Sequence, residues 1–156
     1  MRSRYTNYLQ IIVLVTGVIY ISIGVLFYLA PFAVVRIFME LPAENWIDMV
    51  KKSEFVVILY HMARVLAALL FVSGFAMMLP LFDPLRYRGL IYFNGVIFPF
   101  FAVLLGLFQA GFIIREAVEQ TLFTVLLYFY ALFLFIFILN LTGLVITMKQ
   151  TKEGIE

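Results

Sequence analysis

Four long, uninterrupted apolar runs constrain this chain more than any other feature. They cover residues 9–30, 55–79, 89–114 and 121–147. Each run is long enough to cross a bilayer, because about 20 helical residues span the hydrocarbon core. The runs are continuous rather than alternating, which excludes membrane strands, and backbone groups in lipid must bond within their own segment. We therefore predict an all-α membrane protein, a bundle of four transmembrane helices.

Composition supports the same class. The chain is 65% hydrophobic and 13% charged, whereas a soluble domain is about half apolar and about a quarter charged. The 156 residues contain no separate polar block, so we predict a single membrane domain over residues 1–156. Its basic residues are scattered, which excludes a nucleic-acid partner, and the absence of cysteine excludes disulfides and thiolate metal sites.

The first apolar run and the loop charges predict the orientation. The run is about twice as long as the apolar region of a signal peptide and no A-x-A site follows, so we interpret it as a retained span. The side that holds both termini and the turn at residues 80–88 carries six Lys and Arg, against four on the other side. The positive-inside rule therefore predicts cytoplasmic termini. We expect the inner membrane of a bacterium as the location.

The longest connection, residues 31–54, begins with the sequence PFAVVRIF. Phe32, Val35 and Phe38 fall on one helical face, with Arg36 on the opposite face. An amphipathic segment of this kind lies in the membrane interface. We predict a short interfacial helix after the first span.

Pro99 is expected to distort the third span at its middle. Proline has no N–H, so in α-helical register it leaves the carbonyl of Gly95 without its donor. Asn94 lies beside this defect and is expected to cap it or to line a cavity.

Small residues recur at helical spacing in two spans. Gly17 and Gly24 are seven residues apart in the first span, and Ala102, Gly106 and Ala110 follow a four-residue spacing in the third. Such faces allow membrane helices to approach closely. We interpret both sets as packing surfaces.

The second span contains the only histidine of the chain, His61, and a charged residue, Arg64. Arg64 lies nine residues after Phe55, about 13 Å along a helix. A membrane-embedded arginine costs about 2.5–3.5 kcal/mol on insertion scales and normally has a partner. Because His61 and Arg64 are three residues apart they share a face, which Glu54 and Ala68 extend. We predict that this face points into the bundle.

No span contains an acidic residue, so partners for Arg64 must be sought by depth. Polar residues of the other spans occur in the same half of the bundle, and Glu116 and Glu119 lie just beyond the third span. The candidate ligand site that this comparison predicts comprises His61, Arg64, Gln109, Tyr128, Tyr130 and Tyr20.

Two interpretations of Arg64 stay open at this point. Either it is a structural residue, satisfied by tyrosine and glutamine oxygens and helix carbonyls, or it binds an anionic or carbonyl-bearing ligand such as a lipid head group, a fatty acid or a quinone. For His61, a hydrogen-bonded interior position is the default and proton relay is the alternative. One histidine without cysteine or an intramembrane carboxylate provides no set of metal or haem ligands.

Three sequence segments together resemble a known family. They are GVLFYLAPFAVVRIF, ARVLAALLFVSG and DPLRYRG. Their order resembles the DoxX-like superfamily of small four-helix membrane proteins, over roughly residues 14–112. The resemblance implies that Arg64 corresponds to the arginine typical of the second span. Members have diverse roles, and one type is a subunit of a thiosulfate:quinone oxidoreductase. This sequence lacks the acidic residue that the resemblance would place near Arg64 within the membrane.

Catalytic motifs are missing from the sequence. It has no Ser-His-Asp set, P-loop, GxGxxG or HExxH. We therefore favour a non-catalytic accessory subunit or a binder of a lipophilic ligand, with lipid or quinone as the candidate bound group. The alternatives are an enzyme component in which His61 and Arg64 position a quinone, and a small carrier that works as an oligomer. The expected partners are the bilayer and either another membrane protein or a second copy of the chain.

Overall fold

The computed structural model describes residues 4–31, 54–115 and 120–153. Within these residues the chain is helical and has no strand, which confirms the all-α fold class. The predicted interfacial helix, and the acidic residues Glu116 and Glu119, lie outside the described residues. The helices are α1 (Arg4–Leu29), α2 (Glu54–Met78), α3 (Arg88–Ile91), α4 (Phe98–Arg115) and α5 (Gln120–Glu153).

Two short segments complete the described chain. A 3-10 turn at Leu79–Leu81 ends α2, and a π-helical segment at Tyr92–Ile97 joins α3 to α4, so that these three elements form one continuous third span. Four stretches are long and apolar enough to cross a membrane, and each lies within one of the four spans. They are Thr6–Leu29, Val57–Leu81, Arg88–Phe108 and Leu127–Lys149.

Helix α1 lies between two neighbours. It contacts α2 along most of its length and also contacts α5, whose other side packs on the π-helical segment and on α4. The buried core follows this arrangement from one end of the bundle to the other. It consists of a first cluster around Leu9, Val13, Met77, Ile91, Val96 and Leu144, a second around Tyr20, Leu70, Phe133 and Ile136, and a third around Phe27, Ala63 and Ala67.

Glycine sets the distance between α1 and α2. A Cβ atom at Gly17 would lie 3.1 Å from the carbonyl oxygen of Gly74, and one at Gly24 would lie 3.2 Å from the carbonyl oxygen of Ala67. These are approaches to backbone, which cannot move aside as a side chain can. The heptad spacing of the two glycines therefore serves the close helix packing that the sequence predicted.

The outer surface of the bundle is apolar on every span. Leu29, Val72, Phe101 and Phe108, for example, have large side chains that are more than half exposed. Contiguous apolar surface of this extent is unsuited to water and suited to lipid tails. The bundle thus combines a small-residue, close-packed interior with a lipid-compatible exterior.

Candidate functional site

Arg64 and His61 lie on the outer face of α2. Both side chains are exposed, as is Ala68 on the same face, while Ala63 and Ala67 face the core with exposures of 8% and 0%. The prediction that this face points into the bundle is therefore wrong. The reason is steric: the inner face of α2 lies against the backbone of Gly24 in α1, where only small side chains fit.

The guanidinium of Arg64 lies over two aromatic rings. Its central carbon is 4.4 Å from the ring centroid of Tyr60, one helical turn earlier, and 5.8 Å from that of Tyr28 on α1. Such cation–π contacts each stabilise a charge by about 0.5–2 kcal/mol, with larger values in apolar surroundings. The two tyrosines thus offset part of the cost of placing this cation within a membrane span.

The described residues place no carboxylate beside Arg64. Glu54 begins α2 ten residues earlier, about 15 Å along the axis, and Asp83 lies in the turn beyond the other end of the helix. The guanidinium also makes no hydrogen bond to any residue in the described ranges. Ring contacts use none of its N–H donors as hydrogen bonds, so the planar fork of donors can bind an oxyanion in two-point fashion.

A shallow groove runs along α2, and its lining includes His61 but not Arg64. It has a volume of about 430 Å³ and opens to the outside of the bundle. Its described lining is Ile58, His61, Met62, Val65, Leu66 and Leu69. His61 is the polar member of this set and precedes Arg64 by three residues, and its ring lies 5.7 Å from that of Tyr60. This face of α2 therefore combines an apolar groove, lined on one side by His61, with the cationic side chain of Arg64.

The other predicted site residues are on other helices. Tyr20 is fully buried in the bundle, Tyr128 is 72% exposed, and Tyr130 packs its ring against Gly106 of α4. Helix α5, which carries the latter two tyrosines, packs on α1 and the third span rather than along α2. Gln109 lies in α4, where the structure describes its backbone alone. The structure thus brings His61 and Arg64 together and separates Tyr20 from them.

Tyr20, on the first span, instead donates a hydrogen bond to the backbone of the third span. In the π-helical segment the N–H of Phe98 bonds to the carbonyl of Phe93, five residues earlier. In that register the carbonyl of Asn94 faces position 99, where Pro99 has no N–H to donate. The hydroxyl of Tyr20 donates to this carbonyl oxygen over 2.7 Å. The defect that the sequence predicted around Pro99 is thus present, and the carbonyl of Asn94 is the one that Tyr20 pairs.

Thr16 and Asn140 form a second buried polar contact, which sequence reasoning missed. The side-chain amide of Asn140 donates to the hydroxyl of Thr16 over 2.8 Å and to the carbonyl of Ile136 over 2.9 Å. The Oδ1 atom of Asn140 has no conventional partner among the described residues and lies against Gly95. The signal in the sequence was the pair Thr16 and Tyr20, one helical turn apart in an apolar span.

Comparison with protein-family models, with curated proteins and with solved structures finds no match to this chain. Among the described residues no three His, Cys, Asp or Glu side chains group as a metal site would require. Four apolar helices of spanning length define a small integral membrane protein with a four-helix bundle fold. The similarity to the DoxX-like superfamily stays a prediction.

Proposed function

We propose that this protein is a non-catalytic membrane protein that binds a lipophilic, anionic ligand on the outer face of α2. The binding face consists of Arg64, His61 and the apolar groove beside them. One observation carries the proposal: the Arg64 guanidinium lies on a membrane-facing surface, held by two tyrosine rings, with its N–H donors unused within the described part of the chain.

The position of Arg64 favours binding over a structural role. If Arg64 had a structural role, oxygen atoms inside the bundle would have to surround its guanidinium. The hydroxyl of Tyr20 is already used by Asn94, and Arg64 itself faces outward. Two ring contacts of about 0.5–2 kcal/mol each are of the same size as the cost of an embedded arginine, about 2.5–3.5 kcal/mol. They leave the N–H donors of the guanidinium without hydrogen bonds, and a bound anion would supply these.

The proposed orientation places this face in the outer leaflet. With both termini in the cytoplasm, α2 begins on the opposite side of the membrane and ends at the cytoplasmic turn. Arg64 lies in the first half of α2, seven residues after Val57. An accessory role in a larger assembly is compatible with this location, because a partner protein would meet the same exposed face through the bound ligand.

Native mass spectrometry combined with lipid extraction tests the proposal. Wild type would be compared with Arg64→Ala and with Arg86→Ala, a matched control that also removes an exposed arginine lying over a tyrosine ring, that of Tyr87. We expect a specific lipophile to co-purify with wild type and with the control, and to be lost from Arg64→Ala. Equal amounts of every extracted lipophile in all three proteins would contradict the proposed function. A quinone as the lost species would favour the quinone-linked alternative.

A further inference from the structure

We infer, on the basis of the function proposed above, that the ligand is an anionic phospholipid of the surrounding bilayer. Its phosphate binds at Arg64 and His61, and one of its acyl chains lies in the groove along α2. Four features of this face lead to that ligand class: its depth, the donor geometry of Arg64, the direction of the groove, and the aromatic residues at its border.

The depth of the polar pair matches a head group. The apolar span of α2 begins at Val57, so His61 lies about 6 Å and Arg64 about 10 Å below that end along the helix axis. The flexible side chain of an arginine at this depth extends back towards the interface with its charged group. The charged group of Arg64 therefore lies closer to the interface, and to lipid phosphates, than its Cα atom does.

The donor geometry matches a phosphate. The central carbon of the guanidinium lies over the rings of Tyr60 and Tyr28, and its N–H groups make no hydrogen bond to a residue of the described ranges. A planar fork of donors binds two oxygens of one phosphate or carboxylate at once. His61, one turn closer to the interface, supplies a further ring nitrogen on the same side.

The groove matches an acyl chain. It follows α2 from Ile58 to Leu69, which corresponds to about 17 Å along the helix axis. This direction is that of the spans, and so of the lipid tails beside them. A soluble anion would leave the apolar groove empty, and a neutral quinone would leave the Arg64 guanidinium without a counter-charge. An amphiphile with a charged end and a long chain satisfies both parts of the face.

The choice between a phospholipid and a free fatty acid follows from the border of the site. Tyrosines are enriched where a membrane protein meets the head groups, and Tyr28 and Tyr60 contribute such rings beside Arg64. A phospholipid presents its phosphate at this level permanently and at high local concentration. A fatty acid shares the oxyanion and the chain, so the experiment must separate the two.

The experiment is a lipid titration of detergent-solubilised full-length protein, followed by native mass spectrometry. The probes are phosphatidylglycerol, phosphatidylcholine with the same acyl chains, oleate and ubiquinone. We expect phosphatidylglycerol to bind wild type at least about tenfold more tightly than phosphatidylcholine, because both carry the phosphate but the choline cation of phosphatidylcholine repels Arg64 and offsets the charge of its phosphate. Arg64→Ala should abolish the preference, Arg64→Lys should reduce it, and Arg86→Ala should leave it unchanged.

The groove is tested separately by a matched pair of substitutions. Val65 lines the groove, whereas Val72 lies two turns deeper on the same helix, is similarly exposed and is outside the groove lining. Val65→Trp should weaken phosphatidylglycerol binding by at least about threefold by filling the acyl-chain site, and Val72→Trp should not. Because these variants keep Arg64, they also decide the question if Arg64→Ala does not fold.

The outcomes distinguish failure of this inference from failure of the proposed function. Arg64-dependent binding of oleate or ubiquinone, without any preference for phosphatidylglycerol over phosphatidylcholine, overturns the phospholipid assignment and leaves lipophile binding intact. Equal effects of the two valine substitutions overturn the assignment of the groove to an acyl chain. If none of the four probes binds in a way that depends on Arg64, both proposals are overturned.

Discussion

The hydroxyl of Tyr20 donates a hydrogen bond over 2.7 Å to the backbone carbonyl oxygen of Asn94, the carbonyl that Pro99 leaves without a backbone donor. The two residues are on different spans, and both are buried. In a membrane core no water is present to donate a hydrogen bond to a backbone carbonyl. A side chain of a neighbouring helix therefore replaces the missing N–H. This contact therefore joins α1 to the irregular part of the third span.

Substitution of Tyr20 by phenylalanine should destabilise the fold. The ring would keep its packing, but the Asn94 carbonyl would lose its donor. Interhelical hydrogen bonds in membrane proteins contribute about 0.6 kcal/mol on average and at most about 1.7. We expect a loss near the upper end, about 1–2 kcal/mol, because Pro99 removes the backbone alternative. Unfolding in mixed micelles measures it, with Tyr128→Phe at a 72% exposed position as control; equal stabilities would contradict the prediction.

Substitution of Pro99 by alanine should reduce the dependence on Tyr20. Alanine restores an N–H at the position that the carbonyl of Asn94 faces in the π-helical register. In the Pro99→Ala background, Tyr20→Phe should therefore cost less than in wild type, with a coupling energy of about 0.5–1.5 kcal/mol. A double-mutant cycle of unfolding free energies checks this. Strict additivity of the two substitutions would show that Tyr20 does not substitute for a backbone donor.

Gly95 should tolerate no side chain as long as Asn140 is present. A Cβ atom at Gly95 would lie 2.5 Å from Cγ of Asn140, whose amide is held by Thr16 and by the carbonyl of Ile136. We expect Gly95→Ala to destabilise the protein by about 1–3 kcal/mol through overpacking. In an Asn140→Ala background the same substitution should cost much less.

The control for this pair is Gly89→Ala, because a Cβ atom at Gly89 would have no neighbour within 4 Å. Thermal stability of wild type, Gly95→Ala, Asn140→Ala, the double variant and Gly89→Ala in one detergent provides the measurement. Gly95→Ala could also reduce stability as strongly in the Asn140→Ala background as in wild type. That result would show that the loss arises in the helix backbone and not from a clash with Asn140.

A structural feature is predictable from the sequence when many residues define it. Each span is defined by some 20 apolar residues, so the four-helix class is predicted securely. Few residues define the inward face of α2. His61 and Arg64 are the two side chains of this span with ionisable nitrogen groups, but Ala63, Ala67 and Gly74 determine which side meets α1. Close helix packing selects small residues, and here that requirement exceeded the tendency of polar residues to face inward.

The polar interior shows a second limit of sequence reasoning. Proline predicts a defect in the third span, but the position of the unpaired carbonyl depends on the local register. The choice between four- and five-residue bonding is made by packing among α1, α5 and the third span, which no single segment reveals. The pairing of Thr16 with Asn140 likewise joins residues 124 positions apart in the chain. Such contacts become visible only when the helices are assembled.

Alanine at Gly74 should be among the most damaging small substitutions in the bundle. A Cβ atom there would lie 3.0 Å from the carbonyl oxygen of Gly17 and 3.1 Å from the amide nitrogen of Ile21, both backbone atoms of α1. Since neither can move alone, α1 and α2 would have to separate, with loss of contacts along their shared interface. We expect a cost of about 1–3 kcal/mol, despite the better intrinsic helix propensity of alanine. Helix α2 would also shift relative to Tyr28 on α1, so Gly74→Ala should weaken the aromatic contact with Arg64 and any lipid preference that depends on it. Unfolding free energies and lipid titration of one preparation test both effects, and an unchanged stability would show that the two helices are less closely packed than the structure has them.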